Sequence, residues 1–420
     1  MTSQHSASQP LLFVGIDWAD REHAVAWIDF QHNQGQESFL QKPQAIAEWV
    51  RSLEQRFPNH RILIALEQSR GALIAGLASF PHLELYPLNP HQLASYRTAL
   101  YPSGGKNDPD DAALLAKFLE DHHARLRPWS PDSTETRQIA ELSELRRKLV
   151  EDRKQLVAKL NSSLKLYFPL ILDLLSRELH NDLILDLLRR WPTLEQLKRA
   201  SPNTLRRFLA EHRIKDPERQ TRLIETIRST PALTKDKALV QPRARYVQAI
   251  VDQIRKLNQA IGEFETEIAE LTAQHPDEPI FRSIPGAGDA LVPRLIAAFG
   301  SDRERYQSAE QIQNYSGIAP ITKQSGKSRS VLKRYGCPKF LRQTFHEFAD
   351  HARKWSAWSK AFYNMKRAAG MKHHAALRAL AYKWIRIMFR LWKTNTKYDE
   401  ARYIEQLKRT GSPVLQFLEN

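Results

Sequence analysis

Leu11-Leu12-Phe13-Val14-Gly15-Ile16-Asp17 is an apolar run that stops on a carboxylate. With no polar residue alternating through it, the run reads as a strand buried on both faces. An uncompensated charge is costly inside such a sheet, so Asp17 marks the strand's end. Ile62-Leu63-Ile64-Ala65-Leu66 repeats the pattern and ends on Glu67. Between them, His23-Ala24-Val25-Ala26-Trp27-Ile28-Asp29-Phe30 reads as a strand that returns after a short turn and pairs with the first as a hairpin. Asn33-Gln34-Gly35 is a turn signal, and a third strand is expected near 36–40. A helix from Pro43 to about Gln55, a helix near 71–79, a strand near 83–88 and a helix near 90–99 complete an α/β region expected over 11–127.

Strands that first form a hairpin and then alternate with helices are compatible with a ribonuclease-H-like sheet. Two more acids, Asp108 and Asp111, open the helical stretch that runs through Ala112-Ala113-Leu114-Leu115-Ala116-Lys117-Phe118-Leu119. Asp108 has a structural use of its own, as an N-cap with Pro109 at the first helical position. Asp111 follows three residues on, on the same helix face, while Asp110 points elsewhere. Acids at two strand ends and one helix start can converge on one point. Carboxylates so placed repel one another unless a cation compensates. Mg²⁺ suits such oxygen ligands, and paired Mg²⁺ ions break phosphodiester bonds. The expectation is an enzyme that processes nucleic acid, with Asp17, Glu67, Asp108 and Asp111 as Mg²⁺ ligands.

The net charge of +16 sits in one place. Residues 321–420 carry 22 Lys and Arg against 6 Asp and Glu, so the first 320 residues are balanced. A polyanion partner for the last hundred residues follows, because basic side chains on DNA or RNA release condensed counterions. The aromatics among those charges, from Phe340 to Trp392, read mostly as the core of a helical domain. No apolar run approaches the roughly 20 residues of a membrane span. Met1–Pro10 lacks the basic and apolar regions of a signal peptide and reads as a disordered tail. A single cysteine, Cys337, excludes an intramolecular disulfide and suits a reducing cytoplasm; it reads as a buried small hydrophobe.

Pro128-Trp129-Ser130-Pro131 breaks the chain, and a helical region is expected over 132–275. Leu142, Leu145, Leu149, Leu156, Leu160 and Leu164 line one face of a long helix. Val247, Ile250, Ile254, Leu257, Ile261, Phe264, Ile268 and Leu271 alternate steps of three and four, a coiled-coil seam. It has two candidate partners, the 134–165 helix of the same chain or a second copy. His275-Pro276-Asp277 ends the seam, and a mostly α, basic C-terminal domain is expected over 278–420.

Ser283-Ile284-Pro285-Gly286-Ala287-Gly288 introduces a helix over 290–299. This turn resembles a helix-hairpin-helix, whose amides at Gly286 and Gly288 can meet a phosphate; a plain interhelical turn explains it equally. Further on, Ser325 precedes Gly326 in a polar loop flanked by Lys323, Lys327, Arg329, Lys333 and Arg334, candidate nucleic-acid contacts. A serine hydroxyl attacks phosphorus when it is positioned and the phosphate charge is neutralised. Ser316, Ser328 and Ser330 are rivals.

Both constellations, in this order, resemble the DEDD transposases of the insertion-sequence 110/1111 group, bridge-RNA-guided serine recombinases of bacterial and archaeal mobile elements. The similarity rests on Gly15-Ile16-Asp17, Leu66-Glu67, Lys106-Asn107-Asp108-Pro109-Asp110-Asp111-Ala112, Ser283-Ile284-Pro285-Gly286-Ala287-Gly288, Gly317-Ile318-Ala319-Pro320, Gln324-Ser325-Gly326 and Pro338-Lys339-Phe340-Leu341-Arg342-Gln343. Asn107 departs from the family's usual threonine.

The resemblance implies a RuvC-like N-terminal domain with Asp17, Glu67, Asp108 and Asp111 as the catalytic, Mg²⁺-binding set. It implies Ser325 as the nucleophile of a covalent phosphoserine link to DNA. It further implies a composite site shared between subunits of a dimer or tetramer, target and donor DNA as substrates, a non-coding bridge RNA as guide, and a nucleoid-associated cytoplasmic location. Two other readings use the same residues. A Holliday-junction-type endonuclease would activate water instead of serine, and a non-catalytic nucleic-acid-binding protein would leave the acids unexplained.

Overall fold

The computed structural model describes residues 9–67, 71–88, 90–100, 107–174, 178–326 and 328–418, with only the backbone at 91, 92 and 329. The expected tail over 1–10 lies outside the described residues up to position 8. The chain divides into two compact units, Met1–Pro131 and Asp132–Asn420.

The first unit is a five-stranded mixed sheet with helices. Its strands are β1 (Leu11–Asp17), β2 (Glu22–Ile28), β3 (Gln34–Leu40), β4 (Arg61–Leu66) and β5 (Leu83–Pro87), in the order β3-β2-β1-β4-β5. β1-β2 and β2-β3 are antiparallel, whereas β1-β4 and β4-β5 are parallel. The helices are α1 (Pro43–Arg56), α2 (Ala72–Leu77), α3 (Pro90–Leu100) and α4 (Asp108–His122). The unbroken apolar runs have the reason expected of them, since both faces of the central strands are covered. Leu12, Val14, Ile16, Ile62, Ile64 and Leu66 pack with Trp49, Val50 and Leu53 of α1 and with Leu73 and Leu77 of α2. On the opposite face, Phe13, Leu63 and Ala65 pack with Leu114, Leu115 and Leu119 of α4. Gly15 lies beneath α4, where a Cβ would overlap the Ala112 carbonyl oxygen and the Ala116 nitrogen. The helix therefore approaches the strand as closely as backbones allow.

The second unit is mostly helical. Two long helices, α5 (Thr134–Tyr167) and α11 (Lys237–Gln274), enclose in sequence five short ones: α6 (Leu170–Leu174), α7 (Asp182–Arg190), α8 (Leu194–Arg199), α9 (Pro202–Glu211) and α10 (Pro217–Ser229). The heptad seam finds its partner within the chain. Thr136 Oγ1 meets His275 Nε2 at 2.7 Å, Arg146 Nε donates to Glu265 at 2.9 Å and Arg153 Nη1 donates to Asn258 at 2.8 Å. As one number rises the other falls by the same amount, so α5 and α11 run antiparallel. Val247, Ile250, Ile254, Ile261 and Ile268 are buried along the seam.

Two apolar cores lie along this pair. One gathers Leu160 and Leu164 of α5, Val247 to Ile254 of α11 and the short helices between them. The other joins Ile139 of α5 to α12 (Glu278–Arg282), α13 (Val292–Phe299), α14 (Ala309–Tyr315), α15 (Lys339–Trp355), α16 (Ala357–Ala368), α17 (His373–Thr394) and α18 (Glu400–Arg409). Phe340, Phe345, Phe348, Trp358, Trp384 and Trp392 are buried there, so the core reading of the C-terminal aromatics holds for them; Trp355 is exposed. Between α14 and α15 the chain forms a two-stranded ribbon, β6 (Ile321–Ser325) and β7 (Ser328–Leu332), where a polar loop is expected from sequence.

Candidate active site

Three elements carry the acids to one end of the sheet. Asp17 is the last residue of β1, half-buried and paired in register with Ala24. Ile16 lies beside Leu66 in the parallel register, which sets Glu67, one residue beyond β4, next to Asp17. Strand alternation puts Asp17 on the face of Phe13 and Gly15, the face that α4 covers. The Phe13 ring is 5.0 Å from His123 just past the end of α4, while Gly15 lies under Ala112 and Ala116. The helix thus runs antiparallel to β1, and its first turn, with Asp108 and Asp111, lies towards the strand end that bears Asp17.

Burial divides the four acids. Asp111 is buried, Asp17 is half-buried, and Glu67 and Asp108 are exposed. Glu67 therefore departs from the expectation of an acid at the edge of a buried sheet, because it lies past the last paired residue. The cap also differs from expectation. Asn107 caps α4 through its side-chain oxygen, which accepts from Asp110 N at 2.8 Å; Asp108 is the first helical residue and Pro109 the second. The cap leaves the Asp108 carboxylate at the positive end of the helix, where a negative charge is favoured.

Asp111 is ion-paired with Arg97 of α3. Tyr96, beside it, packs edge-on to Phe118 at 5.0 Å and donates to Asp121 at 2.5 Å, which ties α3 to α4. Burial opposes charge on Asp121, but the Tyr96 hydroxyl and the Lys117 ammonium outweigh it and hold the carboxyl below its usual range. At the other side of Asp17, His23 is buried; its Nδ1 accepts from Ala19 N at 3.2 Å, which leaves Nε2 to donate to Gln41. Burial lowers the His23 pKa against the opposing pull of Gln41, so the turn after Asp17 rests on a neutral imidazole. Four hard oxygen donors are the right chemistry for Mg²⁺. As arranged, however, no three His, Cys, Asp or Glu side chains among the described residues gather into a group able to hold a metal ion.

Ser325 closes the β6-β7 ribbon. It pairs with Ser328 across a two-residue turn, and Gly326 takes the positive φ of 55° that such a turn demands. Ser325, Lys323 and Lys333 are exposed, and the Lys333 ammonium lies 5.3 Å from the centre of the Tyr335 ring. Arg334 is half-buried and donates to Asn314 at 3.1 Å. Lys327, the Arg329 side chain and Lys106 lie outside the described residues. Behind the ribbon, Cys337 is half-buried rather than buried, and its sulfur fills the space that a Cβ at Gly317 would need.

The turn before α13 packs tightly. Gly286 adopts φ 84° with its α-carbon against the backbone of α15 at His351 and Ala352, a packing reason for glycine at that position. Gly288 is exposed, and its neighbour Asp289 is paired with Arg282 at 2.6 Å. Asn107, Arg97 and His23 were not legible as site residues. A cap is signalled by Asn before Asp-Pro, but the Arg97 and His23 contacts have no local pattern.

Two segments of the chain match known families. Residues 14–169 match the IS110-type DEDD transposase family, described as transposase, and residues 278–364 match the family described as transposase IS116/IS110/IS902. The chain belongs to the IS110 transposase family. The first matched segment of this transposase holds Asp17, Glu67, Asp108 and Asp111, and the second holds Ser325. The mini-circle putative transposase for IS117 of Streptomyces coelicolor is 27% identical over 418 residues, 96% of this chain and 98% of that protein. An uncharacterised 43.6 kDa protein of insertion element IS110 from the same organism is 26% identical over 73% of the transposase chain and 76% of its own. The pilin gene-inverting protein of Moraxella bovis is 31% identical over 101 residues, 23% of this chain and 31% of that protein. Among the described residues, no helix is long and apolar enough to cross a membrane.

Proposed function

We propose that this transposase cuts and rejoins DNA through a covalent phosphoserine on Ser325, with Asp17, Glu67, Asp108 and Asp111 as its metal-binding acids. The observation that carries the reading is one chain bearing both parts: acids delivered to one sheet end, and a serine at the tip of an exposed ribbon among lysines. In the proposed step, Ser325 Oγ gives up its proton to water and bonds to phosphorus. The phosphorus–oxygen bond to the leaving strand breaks, and that strand departs with a hydroxyl. After strand exchange, a strand hydroxyl attacks the phosphoserine and frees Ser325, so no nucleotide energy source enters. Mg²⁺, when bound, supplies charge neutralisation at the scissile phosphate. Asp17, Glu67, Asp108 and Asp111 would hold it, with Arg97 beside Asp111. The family reading extends to a RuvC-like first unit, a dimer or tetramer whose subunits share acids and serine, and a bridge RNA that selects the DNA; the basic excess of residues 321–420 supports a polyanion partner of either kind.

The test is a denaturing gel of the protein with labelled element-end DNA. Ser325→Ala is expected to abolish the covalent adduct, and Asp17→Asn to slow cleavage at least about a hundredfold while DNA binding persists. An adduct that persists in Ser325→Ala moves the nucleophile to another residue. Cleavage by the native chain with no adduct at all identifies the water-using endonuclease instead.

A further inference from the structure

Beneath the base of the ribbon lies a cleft of about 570 Å³. Its walls come from α5, from the segment after β7, and from the beginnings of α15 and α17. Lys333, Lys339, Arg342 and Arg378 line it, and among the described residues none of the four has a carboxylate partner. The two acids that line it are engaged. Glu151 accepts from Arg147 at 2.7 Å, and Glu347 accepts from Arg294 at 2.5 Å and from Gln343 at 2.6 Å. Burial opposes ionisation of Glu347, yet these bonds keep its carboxyl below the usual range. Arg147 retains a buried Nε with no hydrogen-bond partner among the described residues.

Two further features fit a positive field in the cleft. His346 faces His374, with ring centres 5.3 Å apart. Its pKa is lowered, first by burial and then by the charges of His374, Arg378 and His373, against a smaller pull from Asp350. The helices α15 and α17 also start here. Neither has a side-chain cap or an acid in its first turn, so their free amides add to the cationic lining. Four uncompensated cations held this close repel one another, a cost that an anion removes.

We infer that this cleft seats the phosphodiester backbone of a nucleic-acid strand, at a site separate from Ser325 but in line with the ribbon. The inference rests on the reading of Ser325 as the group that meets DNA. The ribbon sets the spacing: four residue steps separate its base from its tip, about 13 Å, or about four phosphates along one strand of a duplex. A strand anchored in the cleft would place a phosphate a few nucleotides away at the serine.

The experiment titrates the full-length protein with a fluorescein-labelled DNA duplex and, separately, with a labelled RNA hairpin, over a range of salt. Lys339→Ala combined with Arg378→Ala is expected to weaken binding tenfold or more. It should lower the slope of log K against log salt by about 2, near one unit for each phosphate that is no longer neutralised. Lys339→Gln alone, at an exposed position that folding does not depend on, should lower it by about 1. Arg207→Ala, an exposed arginine on α9, is the control and should leave the slope unchanged. A slope change with DNA alone, with RNA alone or with both supports the cleft and says which strand occupies it. Unchanged slopes in the double variant and in Lys339→Gln, with native binding intact, overturn it. Native protein that binds neither probe overturns the proposed function itself.

Discussion

The five-stranded sheet and the two-stranded ribbon each end on a residue proposed for the chemistry, yet they are supported in opposite ways. The sheet has apolar cores on both faces, and α4 lies against Gly15 with no space for a methyl group. The ribbon is exposed from Thr322 to Ser325, and at its base Val331 and Leu332 are open to solvent. A covered sheet fixes the strand ends and the helix start from which its acids project. An isolated pair of strands is marginal in water and takes its final geometry from what it meets. The elements that bear the acids are thus fixed by packing, whereas Ser325 stands on a ribbon without such cover.

The largest test of this contrast uses one substitution in each place. Gly15→Ala forces Cβ into Ala112 and Ala116 and is expected to destabilise the first unit by about 3 kcal/mol or more. Gly326→Ala meets nothing within 4 Å and bears only the strain of its positive φ, about 1 kcal/mol. Thermal unfolding followed by near-ultraviolet circular dichroism reads both. Equal losses would show the ribbon to be as tightly held as the sheet. A smaller effect is expected from Arg97→Ala, which removes one ion-pair partner of the buried Asp111 and should lower stability by about 1 kcal/mol or more. Mg²⁺ should restore more of the melting temperature in this variant than in the native chain. No added response would mean that the acid end does not take the ion when Arg97 is gone.

The most gradual effect is a pH dependence common to both units. His275 is buried, its Nδ1 accepts from Asp277 N at 3.1 Å, and Nε2 is left to donate to Thr136. Burial lowers its pKa below 6.5, as it does for His23. The unfolded chain therefore binds protons at these histidines before the folded one does. Their contribution is complete above about pH 6.5 and is lost as pH falls below it, by at most about 1.4 kcal/mol per pH unit for each. Urea titrations between pH 7 and pH 5 should show the decline, and His275→Gln should flatten it. A decline of the same steepness in that variant would place the titrating group elsewhere.

The sheet was legible because continuous Leu, Ile and Val runs suit strands covered on both faces, and the structure places those strands, their hairpin start and their helices where the pattern puts them. The α5–α11 pairing was half legible: the seam was visible in Val247 to Leu271, but its partner was not, since a heptad stripe is the same whether it meets its own chain or another. The ribbon escaped because Thr322-Lys323-Gln324 and Ser328-Arg329-Ser330 have no apolar face to signal a strand. At the acids, the short-range sequence could not separate Asn107 from Asp108 as the cap. It gave no hint of Arg97, whose contact with Asp111 joins two helices.

The paired helices α5 and α11 also act as a ruler. Ile139 belongs to one apolar core and Leu160 to the other, 21 residues and about 32 Å along the same helix. A change in that distance must be made in both helices at once to keep their register. Seven residues added to each would lengthen the span by about 10 Å and turn one core relative to the other by only about 20°. Eleven or eighteen residues would also keep the cores nearly in phase, whereas five or nine would swing one core about half-way around the axis. The reach between the two cores therefore changes in near-whole turns, and relatives that differ in it should differ by paired insertions of about seven, eleven or eighteen residues.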